Sequence, residues 1–195
     1  DYFIFILCGL FGVAINMSFF FLGLNYTTPI HAAVTMTSAP IIIFILAVIF
    51  HGEKKSFYRI VGVVLGAIGA VILAVYGRKF ETSNPHLVLG NLFVLINAFS
   101  YALYLTIVKP LMDRYHFLTL MKWVFTVGFF AVLPFGYRDI LVVEWVGISN
   151  KIWAEIVFVV IGTSFLAYMF NIYALKRLRS STVGFYIYLQ PVLAT

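Results

Sequence analysis

Two long apolar runs joined by a link of about five residues, with a proline midway along the second run, occur twice in this chain, 151 residues apart. Residues 7–43 fall on residues 158–194 without a gap, so that Pro40 meets Pro191, Leu24 meets Leu175 and Phe19 meets Phe170. Identities are few; the pattern carries the correspondence. Crossing about 30 Å of hydrocarbon at about 1.5 Å per residue takes roughly 20 apolar residues. Seven runs are long enough, near 2–24, 29–50, 57–77, 88–108, 118–136, 155–175 and 181 to the end. In lipid each backbone N–H and C=O must find a partner inside the protein, and runs of this length achieve that as helices. A chain that is 63% hydrophobic and 10% charged, with a mean hydropathy of +1.05, could not stay in water at this size. The fold class is therefore an all-α polytopic membrane protein. The single Cys8 lies within the first run, which excludes an internal disulfide and reads as a small core residue.

Charge placement orients the runs. Lys54, Lys55, Arg59, Lys109, Arg114, Lys122, Lys176, Arg177 and Arg179 fall on the side where the first run begins. Arg78, Lys79, Arg138 and Lys151 fall on the other. Nine against four in short loops makes the first side cytoplasmic by the positive-inside rule. The loops at Lys54–Lys55 and Lys176–Arg179 then face the cytoplasm, and the net charge of +6 is explained by anionic lipid headgroups. The basic loops lack the interleaved aromatics of a nucleic-acid site, so no nucleic-acid partner is expected. An odd number of crossings separates the run at 2–24 from its match at 155–175. The repeats are thus inverted, the arrangement found in secondary transporters, whose sites lie where two such repeats meet. Extending each copy to the length of the other completes the pattern at ten spans, two of them before residue 1 and one and a half after residue 195.

The stretch from Gly23 through Tyr26, Pro29 and His31 to Ala33, the pair Ala39-Pro40, Gly52-Glu53, and Arg59 to Gly62 leading into Gly66 and Gly69 resemble the drug/metabolite transporter superfamily of EamA type. The resemblance covers essentially the whole chain as a pattern and implies ten helices in two inverted five-helix repeats. Residues 1–77 would be the last three helices of the first repeat, 78–87 an external linker, and 88–195 the first four helices of the second. It implies export or exchange of amino acids and other small metabolites, in a bacterial inner (plasma) membrane. Gln190 stands where the first copy has Ala39, and Tyr186 where it has Thr35.

Read without that resemblance, Pro40 and Pro191 each remove a backbone N–H and crowd the carbonyl four residues earlier, at Met36 and Ile187. Broken helices paired across inverted repeats mark a midplane site and its hinges. Polar residues recur at helical spacing: Asn97, Ser100, Tyr101 and Tyr104; Ser164, Tyr168 and Asn171; His31, Thr35 and Ser38; Tyr186 and Gln190. Amides and phenols are costly in lipid, so these faces should turn inward. Asn97, Tyr101, Tyr104, Tyr168, Asn171, Tyr186 and Gln190 are the expected substrate-binding residues, with Pro40 and Pro191 as hinges. Hydrogen bonding between helices uses the same residue types, and His31, barely inside the external interface, reads as facing headgroups. Gly9, Gly12, Asn16 and Gly23 form a small-residue stripe for helix packing; Gly62, Gly66 and Gly69 form another, suited to packing within the repeat or between two copies in a homodimer. Ser56 is a reasonable N-cap, Glu53 with Lys54 and Lys55 reads as a solvated turn, and Trp123, Trp145 and Trp153 sit near span ends as an aromatic belt would.

No Asp, Glu, Lys or Arg lies in the middle of any run. Proton-coupled pumps carry such a group, so a carrier driven by substrate gradients, or an exchanger, is expected, with cargo recognised by amides, phenols and aromatic faces. Small zwitterionic or aromatic metabolites suit that lining. Nucleotide-sugar or sugar-phosphate exchange is the alternative, and it requires cations that reach phosphate. A seven-helix receptor predicts no inverted repeat. A membrane-embedded enzyme or a metal site would need clustered His, Cys, Asp or Glu, and within the runs, Glu155 at the edge of its own aside, there are only His31 and Cys8. No cofactor is expected.

Overall fold

The structure, a computed structural model, describes residues 1–53, 56–75 and 85–189. Gln190, Pro191, Lys54, Lys55, Arg78 and Lys79 lie outside the described residues. The described chain is helical and holds no strand. Helix α1 spans Tyr2–Tyr26, α2 Pro29–His51, α4 Leu87–Met112, α5 Phe117–Val142 and α6 Asn150–Arg177, each long and apolar enough to cross a membrane. Helix α3 spans Phe57–Val75. Helix α7 spans Ser180–Phe185 and passes into a 3-10 turn at Tyr186–Leu189. The long helices outlast their apolar runs by about a turn, since polar residues at the ends reach water or headgroups while the backbone stays bonded.

The local geometry recurs at the shift of 151 residues. Helix α1 contains a π turn at Leu10–Ala14, and α6 a π segment at Phe158–Leu166 that covers the matching positions. The links that follow are superposable in their torsions: Thr27 has φ −123° and ψ 168°, and Leu178 has −115° and 164°. The N–H of Thr27 reaches the Gly23 carbonyl at 2.9 Å, and that of Leu178 the Ala174 carbonyl at 2.8 Å. Each link then turns straight into the next helix, with Thr28 as N-cap, ahead of Pro29 in the first helical turn, and Arg179 as its counterpart. Proline fits there because its missing N–H has no helical acceptor anyway.

Helix α4 forms the core. Val94, Ala98, Ala102, Leu105 and Val108, spaced by three and four, are fully buried against α1 and α2, and α6 and α7 close over the same helix. Gly12 lets the Tyr104 ring lie against α1, where a Cβ would come within 2.6 Å of it. Part of the small face of α3 packs within the molecule: a Cβ at Gly66 would meet the Tyr188 ring at 2.4 Å, and Gly62 faces Phe185, whereas a Cβ at Gly69 would meet nothing within 4 Å.

Hydrogen bonds sort the helix ends into two groups. At one, the Lys109 end, Arg114 Nη1 and Tyr115 OH donate to the Asp1 carboxylate at 3.0 Å each, and Lys109 Nζ donates to the Leu175 and Leu178 carbonyls at 3.0 and 2.5 Å. That lysine caps the C-terminus of α6, where the orphan carbonyls and the helix dipole favour a cation. At the opposite end Thr27 Oγ1 donates to Asn91 Oδ1 at 2.6 Å, and the Tyr26 and His86 rings meet edge-on. Trp123 packs on Tyr2 at the Lys109 end, and Trp145 on Trp153 at the other.

One expectation is corrected. Glu53 is not a solvated residue: its side chain is only 7% exposed. Helix α2 ends at Gly52, whose left-handed backbone (φ 59°, ψ 29°) turns the N–H groups of Gly52 and Glu53 back to the Ala47 carbonyl. That turn folds the Glu53 carboxylate inward, where it accepts from Arg59 Nη1 at 3.3 Å and from Ser181 Oγ at 2.5 Å. A buried carboxylate persists when hydrogen bonds and a counter-ion replace water, and the charge run Glu53 to Lys55 gave no sign of them.

Candidate functional site

The site begins with a defect in α1. An α-helix bonds each N–H to the carbonyl four residues back; a π turn reaches five back and leaves carbonyls turned outward. Side chains from other helices donate to two carbonyls within Leu10–Ala14. Ser100 Oγ, from α4, donates to the Phe11 carbonyl at 2.6 Å, and the Tyr168 hydroxyl, from α6, donates to the Gly12 carbonyl. One turn on, Asn16 and Asn97 exchange bonds: Asn97 Nδ2 donates to the Asn16 carbonyl at 2.7 Å, and Asn16 Nδ2 to the Asn97 carbonyl at 3.2 Å. Tyr168 OH also lies 3.3 Å from Asn16 Oδ1. Helices α1, α4 and α6 are thus tied together by polar groups midway along their lengths.

Beside this knot is a cavity of about 410 Å³. Its polar lining comes from Asn16, Asn97, Tyr101, Thr163, Ser164, Tyr168 and Asn171, with Tyr186 from the turn after α7. Met17, Phe20, Phe21 and Met36 supply apolar and aromatic faces, so α1, α2, α4, α6 and the α7 segment all contribute. No lining residue carries a charge, and no group of His, Cys, Asp or Glu among the described residues could hold a metal. The Asn97 amide is oriented by its neighbour: with Nδ2 on the Asn16 carbonyl, Oδ1 is a buried acceptor without a partner. A second groove of about 560 Å³ lies beyond Met17, Phe21 and Ser164, between α1, α5 and α6. Apart from Ser18 and Ser164 its walls are apolar, with little to orient a metabolite.

Five of the expected residues therefore share one cavity: Asn97, Tyr101, Tyr168, Asn171 and Tyr186. Tyr104 does not line it. Fully buried, it packs on Gly12 and against the rings of Tyr101 and Tyr168, with centroids 6.3 and 5.9 Å away. The face of His31, Thr35 and Ser38 is also absent from the lining: Thr35 Oγ1 donates to the His31 carbonyl at 2.8 Å and Ser38 Oγ to the Thr35 carbonyl at 2.7 Å. The expected contributions of Gln190 and Pro191 fall outside the described residues. Asn16, read from the sequence as part of a packing stripe, lines the cavity; an amide in mid-span was the available signal, hidden by three glycines in register with it. Helix α2 is interrupted at Thr37, between Pro29–Met36 and Ser38–His51.

A model of the EamA-like transporter family matches residues 1–75 and 88–195. An uncharacterized transporter of Archaeoglobus fulgidus is 27% identical over 186 residues, covering 95% of this chain and 64% of its own length. A WAT1-related protein of Arabidopsis thaliana is 22% identical over 218 residues, covering 97% of this chain and 58% of its own length. The chain thus spans about three-fifths of the length of these relatives. One solved crystal structure superposes with a TM-score of 0.78 at 22% identity, over 98% of this chain and 64% of the other; it supports the fold alone.

Proposed function

Because this chain belongs to the EamA-like transporter family, we propose that it carries small zwitterionic or aromatic metabolites, amino acids among them, across the bilayer by alternating access. The supporting observation is the cavity: amides, phenols and aromatic faces from helices of both repeats converge on it, and its lining residues hold no charge. An amino group finds acceptors there, in Asn97 Oδ1 and in the lone pairs of Tyr168 left after its hydroxyl proton goes to Gly12. Aromatic rings add a surface for a flat or cationic substrate. Phosphorylated cargo would need cations in the lining, and the basic side chains of the described residues stand at the helix ends.

A lining without a carboxylate favours exchange or movement down the substrate gradient over proton pumping. The reading is of a transporter, not an enzyme, in a bacterial inner membrane, with the Lys109 end cytoplasmic because the short loops there hold most of the lysines and arginines. Thermal stabilisation of the purified protein by amino acids and aromatic amines, and none by nucleotide sugars, is the expected result of a ligand screen. Asn171→Leu should weaken that stabilisation about tenfold in ligand concentration while leaving the ligand-free melting point nearly unchanged, since a cavity wall tolerates apolar replacement better than a packed core. Unchanged ligand response in Asn171→Leu and Tyr101→Leu would remove the cavity from the binding role.

A further inference from the structure

The first turn of α7 lies between the cavity and the Lys109 end. Val183 and Ile187, among its lining residues, stand one to two turns in from the start of α7, so the first turn of that helix forms the floor. Among the described residues, the hydrogen bonds from residues 1–75 to residues 88–189 at this end include two side-chain contacts. One is Asp1 with Arg114 and Tyr115, where the Arg114 side chain is 65% exposed. The other is Glu53 with Ser181, buried. An exposed ion pair holds little against water, whereas a charge-assisted bond shielded from water holds more.

We propose that the bond between Glu53 and Ser181 is the gate of the carrier at this end, the contact that must part for the cavity to open there; this rests on the transport reading above. The chemistry of the pair suits a gate better than a permanent brace. Arg59, six residues from Glu53 and on the same repeat, holds the same carboxylate oxygen. When α7 withdraws, the carboxylate keeps its counter-ion and gains water, so separation strands no bare charge. The hydroxyl of Ser181 likewise leaves as a neutral group that water satisfies. The pair itself then loses one hydrogen bond to a charged acceptor, beside the packing of Ile43 on Gly184, and its loss or retention biases the balance between closed and open. Glu53 and Ser181 are positioning residues here; neither lines the cavity.

The test uses Val183→Cys as a probe, since Val183 lines the cavity behind the gate and is 6% exposed. The native Cys8 is fully buried, and protein without the probe sets the background. In membrane vesicles with the Glu53 end facing the medium, a membrane-impermeant maleimide should label the probe slowly. Adding Ser181→Ala or Glu53→Ala should raise the labelling rate about tenfold, the shift that loss of one such bond produces. Ser181→Thr keeps the hydroxyl and should stay within about twofold of the parent. Parental labelling in both alanine variants, or labelling of the threonine variant as fast as theirs, would overturn the gate. The readout needs no substrate, so a failed ligand screen would sink the transport reading while leaving the labelling result to stand, and the reverse holds equally.

Discussion

Tyr168 donates its hydroxyl proton to the Gly12 carbonyl, inside the π turn of α1. In hydrocarbon that carbonyl has no water to fall back on, so Tyr168→Phe should lower stability by about 1–3 kcal/mol, the cost of an orphaned buried acceptor, measurable as a fall in melting temperature without ligand. Asn97→Leu should cost a similar amount, because the Asn16 carbonyl loses its donor at 2.7 Å. Asn171, without such a bond, is expected to be tolerated. Binding and stability thus divide among residues that look alike in sequence. Spacing put Asn97, Tyr101, Tyr168 and Asn171 on faces expected to turn inward, because an amide or phenol has one tolerable direction in lipid, and all four line the cavity. Which of them meets the cavity and which is spent on a neighbouring backbone depends on approach distances between helices, as Tyr104 illustrates: Gly12 admits its ring to a packed site where a larger residue would have held it off.

At the level of elements, Pro40 shows how far a local rule reaches. Its ring has no N–H to give the Met36 carbonyl, and Met36 is where the first half of α2 ends. The second half begins at Ser38, which puts Pro40 in a first turn, where a missing N–H is harmless. Thr37 Oγ1 and Ser38 Oγ close on the Val34 and Thr35 carbonyls at 2.7 Å each, so the break is internally satisfied. Pro40→Ala should therefore change stability by less than about 1 kcal/mol while slowing exchange between the two faces, read as a lower transport rate in protein inserted at normal levels. An unchanged rate would make the proline a packing feature. The π turns were not legible in the sequence: Leu10–Ala14 is apolar and unremarkable, and its bulge shows only once Ser100 and Tyr168 are seen to need its carbonyls.

For the whole molecule, the grouping of helix ends follows from counting crossings, and the bonds at each end agree with it: Asp1, Lys109, Arg114 and the Leu178 link gather at one, Thr27 and Asn91 at the other. Cysteines placed at Arg177 and at Arg138 should accordingly react from opposite faces of the membrane, the first from the cytoplasm; labelling of both from one face would overturn the topology. Burial is uneven between the matched helices, with 39% of the most apolar stretch of α1 covered against 11% in α6. The hydrophobic pattern predicted that each would span, since length and apolarity decide that, but not how much of either is covered, which depends on neighbours. The two π segments bear on ancestry. A π turn holds one residue more than an α turn, and here the two π segments overlap after the shift of 151, Leu10–Ala14 falling within Phe158–Leu166. Had each helix acquired it separately, two insertions would have had to strike the same turn. Duplication of one helix that already carried the bulge accounts for both at once.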